Sequence, residues 1–213
     1  MQPVTTRFNT LLRLWIAAMA AIALLIPAAA SAQFSDSYNF LKAVRDRDGD
    51  KATQMLNEPG STVVNTKDIT SGESALHIVT QRRDLTWMGF LLQKGANPNA
   101  RDKNGMTPLM LATTLRFVDG AETLLARKAS VDDTNSSGET PLIRAVQLRD
   151  LAMVRLLLKA GANPDKQDTI AGQSARDYAS GDFRNPQIFE AITANDKERK
   201  EGPKSPKVFG PTG

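Results

Sequence analysis

Four glycines recur along the chain at nearly constant spacing, and this period restricts the fold more than any other feature of the sequence. Gly72, Gly105, Gly138 and Gly172 are separated by 33, 33 and 34 residues. A period of about 20–50 residues is typical of repeat proteins, in which each unit packs only on its neighbours. The spacing therefore predicts a row of similar units rather than one globular core.

Two central units open with the same local phrase. Thr107-Pro108 and Thr140-Pro141 place a hydroxyl that can cap a helix directly before a proline, which suits the first helical turn. A second apolar run follows in each unit, and in the later one it stops before Gly161, where a left-handed residue can end a helix. These signals predict two helices per unit, joined by tight turns.

With these phrases in place, the sequence resembles the ankyrin repeat family. The family phrase Thr-Pro-Leu-His followed by alanine is matched in part at 107–112 and 140–145, and its histidine stands at His77. The family signature Gly-Ala-Asn is matched at 95–97 and 161–163. The resemblance implies an all-α solenoid of about five stacked helix-turn-helix units, with short β-turn or hairpin loops between them.

The resemblance covers roughly 39–193 and is weaker at both ends, as expected for terminal units that need a polar outer face. Three segments are predicted: a cleavable signal peptide (1–32), a repeat domain (33–195) and a tail (196–213). The repeat domain consists of a degenerate cap (38–71), three repeats (72–104, 105–137, 138–171) and a C-terminal cap (172–193). The tail is charged and then rich in Gly and Pro, which predicts disorder.

The N-terminal segment has the composition of an export signal. Arg7 and Arg13 give it positive charge, Leu14–Ile26 is uncharged and mostly apolar, and small residues precede a predicted cleavage between Ala32 and Gln33. We therefore expect a bacterial protein that is periplasmic or secreted. The alternative is an uncleaved segment that tethers the repeats to the membrane as a scaffold, although a bilayer span needs about 20 residues.

The composition argues against several kinds of catalytic site. The chain has no Cys and one His, which excludes thiolate chemistry and any site that needs two imidazoles. Asp46, Asp48 and Asp50 suggest a calcium loop, but the glycine is fourth rather than sixth in the pattern. The segment 33–195 carries 20 charges of each sign, so no basic face predicts a nucleic-acid partner. We expect no enzyme activity, no cofactor and no metal.

By resemblance, ankyrin proteins bind partner proteins through a concave face formed by the turn tips and the ends of the first helices. The positions that this assigns as partner-binding are Gln81, Arg82, Arg101, Lys103, Asn104, Met106, Thr114, Leu115, Glu139, Gln147 and Leu148. Arg82, Arg101 and Met106 are the best candidates for large contributions, because Arg is enriched at hot spots and Met adapts its shape. We expect a monomer that binds another protein without catalysis.

Overall fold

The computed structural model describes residues 27–201 of the chain, with side chains from 36 to 200. In this part, ten α-helices follow one another: α1 (Pro27–Asp46), α2 (Gly49–Asn57), α3 (Ala75–Gln81), α4 (Leu85–Gln93), α5 (Pro108–Thr114), α6 (Val118–Ala126), α7 (Pro141–Gln147), α8 (Leu151–Lys159), α9 (Ala175–Gly181) and α10 (Pro186–Glu201). A short 3-10 helix (Val63–Asn65) lies between α2 and α3. No sheet forms within 27–201, where two isolated antiparallel bridges join turn residues.

The helices form five pairs that stack in a row. Each first helix (α1, α3, α5, α7, α9) packs on the first helix of the next pair, and the second helices pack likewise from α4 onward. Leu76, Leu109 and Leu142 occupy the same position in three successive first helices and are almost completely buried. The predicted all-α solenoid of about five units is therefore confirmed, with its core running the length of the stack.

The helix starts follow from capping side chains. Thr107 and Thr140 each accept a hydrogen bond from the backbone N–H three residues on, at 3.3 and 3.2 Å, and a proline follows each of them. Asp84 and Asp150 do the same for the second helices, at 3.1 and 3.0 Å. Such caps satisfy N–H groups that have no partner inside the helix, so these side chains determine where each helix begins.

Helix α6 departs from this pattern, because Phe117 stands at the capping position and accepts no side-chain hydrogen bond. Three residues on, Gly120 is buried, and a Cβ built there would lie 2.3 Å from two atoms of the Phe117 ring. Sequence alone predicts that a glycine inside a helix loosens the unit 105–137. The structure gives a packing reason for the glycine, since it makes room for a ring that is itself 8% exposed.

The packing of Phe117 against Gly120 predicts that the effect of Gly120→Ala on the free energy of unfolding has opposite signs with and without the Phe117 ring. Gly120→Ala alone should lower the free energy of unfolding by about 1–3 kcal/mol, because the new methyl group displaces the ring. In a Phe117→Asp background, where no ring fills the space, the same substitution should raise it by about 1 kcal/mol, since alanine favours the helix more than glycine does. Urea unfolding of the four proteins measures both values. Equal effects of Gly120→Ala in the two backgrounds would contradict the assigned packing.

The C-terminal end differs from the predicted boundary. Helix α10 continues through Asp196 to Glu201, so 196–201 is helical although the sequence predicts a disordered tail from 196. The Asp196 carboxylate lies 2.8 Å from a guanidinium nitrogen of Arg176, which replaces the buried leucine of the preceding first helices. This ion pair ties the last turns of α10 to α9. The rest of the predicted tail, 202–213, lies outside the described residues.

At the N-terminal end of the described residues, α1 extends from Pro27 to Asp46. The helix runs across the predicted cleavage junction between Ala32 and Gln33. Within residues 27–201, no helix combines the length and the apolar composition that a membrane span requires. The apolar segment Leu14–Ile26, on which the export prediction rests, lies outside the described residues.

Candidate functional site

The last residues of the first helices form one row of equivalent positions. Gln81, Thr114, Gln147 and Gly181 end α3, α5, α7 and α9, and all four are exposed. Because stacked helices present the same positions one above the other, these residues form a column across the stack. We call Gln81, Thr114, Gln147 and Gly181 the first-helix column, and three of its four members are among the residues that the sequence predicts to bind a partner.

Two polar side chains of this column, Gln81 and Thr114, bond within their own units. The Gln81 amide donates to Glu73 at 2.8 Å, and the Thr114 hydroxyl donates to the Met110 carbonyl of its own helix at 2.9 Å. Neither bond reaches a different unit. These two side chains can therefore exchange their hydrogen bonds for bonds to a partner without separating the units.

Arg82, one of the residues predicted to contribute most, is bonded within the chain. Its Nη1 donates to the carbonyls of Val44 and Arg45 at the end of α1, the second at 3.2 Å, and its Nε lies 3.4 Å from Asp84. Its guanidinium carbon lies 5.6 Å from the Trp87 ring centroid. Nε and Nη2 are buried without a hydrogen bond. The side chain thus clamps the first two units, and its two unbonded nitrogens are buried where a partner does not reach them.

Trp87 lies partly buried beneath this clamp. Its ring meets the Phe90 ring edge-on, with centroids 5.8 Å apart, and both rings pack against the core. The equivalent residue in the fourth unit, Met153, is completely buried. Trp87 therefore packs against the core and remains partly exposed.

The predicted turn residues divide into bonded and free side chains. Arg101 donates to the Thr134 carbonyl of the next turn and lies 3.3 Å from Asp133, so it also bridges two units. Lys103 and Asn104 are exposed at the tip of the same turn. Met106 is half-buried. In this turn, the side chains most accessible to a partner are therefore those of Lys103 and Asn104 at the tip.

Leu115 and Leu148 lie away from the turn tips, at the C-caps of α5 and α7. Both are half-buried, and their carbonyls accept hydrogen bonds from arginines of the preceding units. Glu139 is also half-buried and accepts hydrogen bonds at 2.8 Å from Asn135 and from Arg144. These three predicted residues therefore do not join the first-helix column at its exposed surface.

Sequence reasoning missed a notch at the C-terminal end of the column. Its volume is about 450 Å³, and it lies where Gly181 leaves the column without a side chain. Gln147, Gln173 and Tyr178 line it together with Asp177. A comparison of aligned positions would have shown it, because glycine replaces the larger residues of the other three units.

Tyr178 is held in one orientation beside this notch. Its hydroxyl donates to the buried Asp168 carboxylate at 2.7 Å, and this hydrogen bond raises the pKa of Tyr178 and lowers that of Asp168. Asp168 also accepts the N–H groups of the turn that follows it, those of Ile170, Ala171 and Gly172. The aromatic ring is thus fixed by the turn before any partner arrives, which limits the entropy lost on binding.

His77 has a structural arrangement in which both ring nitrogens are bonded. Nδ1 accepts the Ser74 N–H at 3.1 Å, and Nε2 lies 2.9 Å from the Met106 carbonyl of the next unit. Because a carbonyl can only accept, Nε2 carries the proton, and because Nδ1 accepts a hydrogen bond, the ring is neutral. Burial lowers the pKa of His77. The side chain closes the capping box of α3 and joins two units.

This environment predicts a pH dependence of stability. Protonation of His77 is harder in the folded than in the unfolded chain, so the free energy of unfolding should fall as pH decreases below about 6.5. His77→Asn keeps an acceptor for Ser74 but cannot titrate, and it should show a flat stability between pH 6.5 and 5. Urea unfolding at several pH values measures both slopes. Equal slopes in the two proteins would contradict the role assigned to His77, which is the only histidine.

Within the described residues, no group of three or more His, Asp or Glu side chains is arranged to hold a metal ion. Two carboxylates of the calcium-like pattern have other partners. Asp48 accepts the Lys51 N–H at 2.9 Å and so begins α2, while Asp46 pairs with Lys42 at 2.6 Å. The acidic pattern is therefore explained by a helix cap and a surface ion pair.

Comparisons with known proteins agree with the arrangement of the helix pairs. A family model described as ankyrin repeats (3 copies) matches residues 40–135 and 90–168, which together make up more than half of the chain. A similar relative is the human 2-5A-dependent ribonuclease, 36% identical over 81 residues, which are 38% of this chain. The chain spans 11% of that protein's length. From the paired helices, the capping phrases and the extent of the family match, we conclude that the chain belongs to the ankyrin repeat family.

Proposed function

We propose that this protein binds another protein, without catalysis, through the first-helix column and the exposed turn tip of Lys103 and Asn104. Ankyrin repeats are generally protein-binding modules, which gives the coarse assignment. The assignment of the binding surface is supported by the exposure of the column. Its side chains are exposed, and Gln81 and Thr114 bond only within their own units in the described structure.

The chemistry of the column suits a protein partner. Amides and a hydroxyl can donate and accept, and the rigid Tyr178 ring beside the notch offers apolar area at low entropic cost. Met106 adds an adaptable apolar side chain at the turn. This mixture of polar groups and a few large side chains is typical of transient protein interfaces.

The experiment is site-specific photo-cross-linking in the cells that make the protein. A photoreactive amino acid is placed at Thr114 or Gln147, the last residues of α5 and α7, or at Gln93 or Ala126, the exposed last residues of α4 and α6. We expect a discrete cross-linked protein from the first pair and not from the second. Cross-links that form only from Gln93 and Ala126 would contradict the proposal.

We propose further that the protein acts in the bacterial periplasm or outside the cell, because 1–32 has the order of charges, apolar run and small residues of an export signal. The mass of the protein purified from cells tests this directly. A chain that begins at Gln33 supports export with cleavage. A chain that retains Leu14–Ile26 supports the alternative, a scaffold tethered to the membrane.

The ribonuclease activity in the name of the human relative is not carried over to this chain. The similarity covers 81 residues, which is two to three units of the repeat. A stretch of that length supplies helix pairs and turns, and fold alone does not transmit a reaction. An assay of the purified protein on single-stranded RNA should therefore show no cleavage above background.

A further inference from the structure

Four arginines adopt the left-handed backbone conformation at one position that recurs in four units. Arg47, Arg83, Arg116 and Arg149 have φ values of 60°, 55°, 53° and 55°. Each lies directly before the first capping position of a second helix. For an L-residue other than glycine, this conformation lowers a folding equilibrium constant by about 5- to 30-fold. Glycine would avoid that penalty, so the recurrence of arginine at this position points to a role for its side chain.

In each of the four units the arginine side chain reaches an acceptor of the next unit. Arg83 donates to the Leu115 carbonyl. Arg116 donates to the Leu148 carbonyl at 2.6 Å. These acceptors are the C-cap carbonyls of α5 and α7, which lie at the negative end of a helix. A guanidinium therefore satisfies a helix end across the gap between units.

The ends of the row use carboxylates in place of carbonyls. Arg149 Nε lies 2.7 Å from the Asp182 side chain, and Asp182 is the C-cap residue of α9. Arg47 Nε lies 3.3 Å from the Asp84 side chain of the second unit. The row thus connects all five units in sequence, along the edge where each first helix turns into its second helix.

We infer that Arg47, Arg83, Arg116 and Arg149 form an arginine ladder that couples neighbouring units. The left-handed backbone directs each side chain to the following unit, and the bond it makes offsets the conformational penalty. In a stacked array the stability of the whole depends on such links between neighbours. The ladder makes the five units unfold together and holds the first-helix column at a fixed spacing.

Lys128 provides a matched control within the same molecule. It is the remaining non-glycine residue with positive φ in the described structure, at 64°, and it follows the C-cap of α6. Its side chain is exposed and makes no bond to another unit in the described part of the chain. Glycine at 128 relieves backbone strain only, whereas glycine at 116 relieves the same strain and also removes a link.

The first experiment compares Lys128→Gly with Arg116→Gly in urea unfolding of the full chain. We expect Lys128→Gly to raise the folding equilibrium constant by about 5- to 30-fold. Arg116→Gly should raise it by a clearly smaller factor or lower it. A gain at Arg116 as large as that at Lys128 would show that the side chain contributes nothing, and it would overturn the ladder.

A second pair of variants keeps the strained backbone and removes only the charged group. Arg116→Gln should lower the folding equilibrium constant, whereas Lys128→Gln should leave it unchanged within about twofold. Both variants retain a Cβ at positive φ, so their difference reports the cross-unit bond alone. Equal values for the two glutamine variants would overturn the proposal, whatever the glycine variants do.

The coupling itself is read from the triple variant Arg83→Gly, Arg116→Gly and Arg149→Gly. We expect the urea dependence of the unfolding free energy to become shallower, because units then open separately and each transition exposes less surface. Hydrogen exchange should be at least tenfold faster in α9 and α10 than in the Lys128→Gly protein. An unchanged urea dependence together with unchanged exchange in α9 and α10 would overturn the proposal.

Discussion

We expect Gly138→Ala to lower the free energy of unfolding by about 2–5 kcal/mol, a large effect for the addition of one methyl group. Gly138 has φ +73°, where an alanine is strained, and its Cβ would lie 2.6 Å from the Thr169 backbone nitrogen of the next turn. Backbone cannot move aside as a flexible side chain can, so the two turns would be forced apart. Urea unfolding measures the change.

Gly172→Ala is the matched control for this substitution. Gly172 occupies the same position in the last turn and also has positive φ, at +64°, but a Cβ there meets nothing within 4 Å. Its alanine variant should therefore lose only about 1–2 kcal/mol, from the backbone conformation alone. Equal losses at Gly138 and Gly172 would show that contact between successive turns is not what the central glycines provide.

Leu142→Ala should lower the free energy of unfolding by a similar amount, about 2–5 kcal/mol. Leu142 is completely buried in α7, and its removal leaves a cavity between first helices that pack on both sides. When urea unfolding is followed separately at the first and at the last unit, we expect the free energy of unfolding to fall at both ends, because each unit is stabilised by its neighbours.

The same position in the last first helix provides the control for Leu142. Arg176 stands there in α9, where no further unit follows in the described structure, and it makes ion pairs with Asp165 at 2.6 Å and Asp196 at 2.8 Å. Surface ion pairs contribute little, so Arg176→Ala should lose about 1 kcal/mol or less. A loss at Arg176 as large as that at Leu142 would contradict the view that this end of the stack is a polar cap.

The local signals of the sequence account for most of the fold. The Thr-Pro phrases predict the helix starts at Thr107 and Thr140, because a cap and a proline act within one turn of the chain. The 33-residue period predicts the stacking, since a repeated apolar face has to meet its own neighbour. These features depend on residues that are close in sequence or equivalent by period.

The features that the sequence does not predict depend on contacts between units. Arg82 is expected to bind a partner because of its position, yet its guanidinium reaches back to carbonyls at Val44 and Arg45. Helix α10 continues past its last buried apolar residue, Ile192, and Asp196 in this extension pairs with Arg176 of the preceding helix. Such contacts depend on how far a long side chain extends toward a neighbouring helix. The pattern of apolar positions in the sequence carries no information on this.

The candidate site is predicted in part for the same reason. The repeat period and the predicted ends of the first helices identify Gln81, Thr114 and Gln147, and all three are exposed in the structure. The notch at Gly181 and the fixed ring of Tyr178 escape prediction, because they arise from a missing side chain in one unit and a hydrogen bond to Asp168 in its turn. Alignment of the units by position, rather than by motif, points to the notch, because Gly181 stands where the other units have larger residues.

The affinity of the cross-linked partner for two charge-matched double variants tests the central claim most directly. Thr114→Arg with Gln147→Arg adds two positive charges to the first-helix column, and Gln93→Arg with Ala126→Arg adds two to the ends of α4 and α6. Binding through the column predicts at least a tenfold rise in Kd for the first variant and no change for the second. Unchanged affinity of the column variant, with its fold intact, would contradict the account.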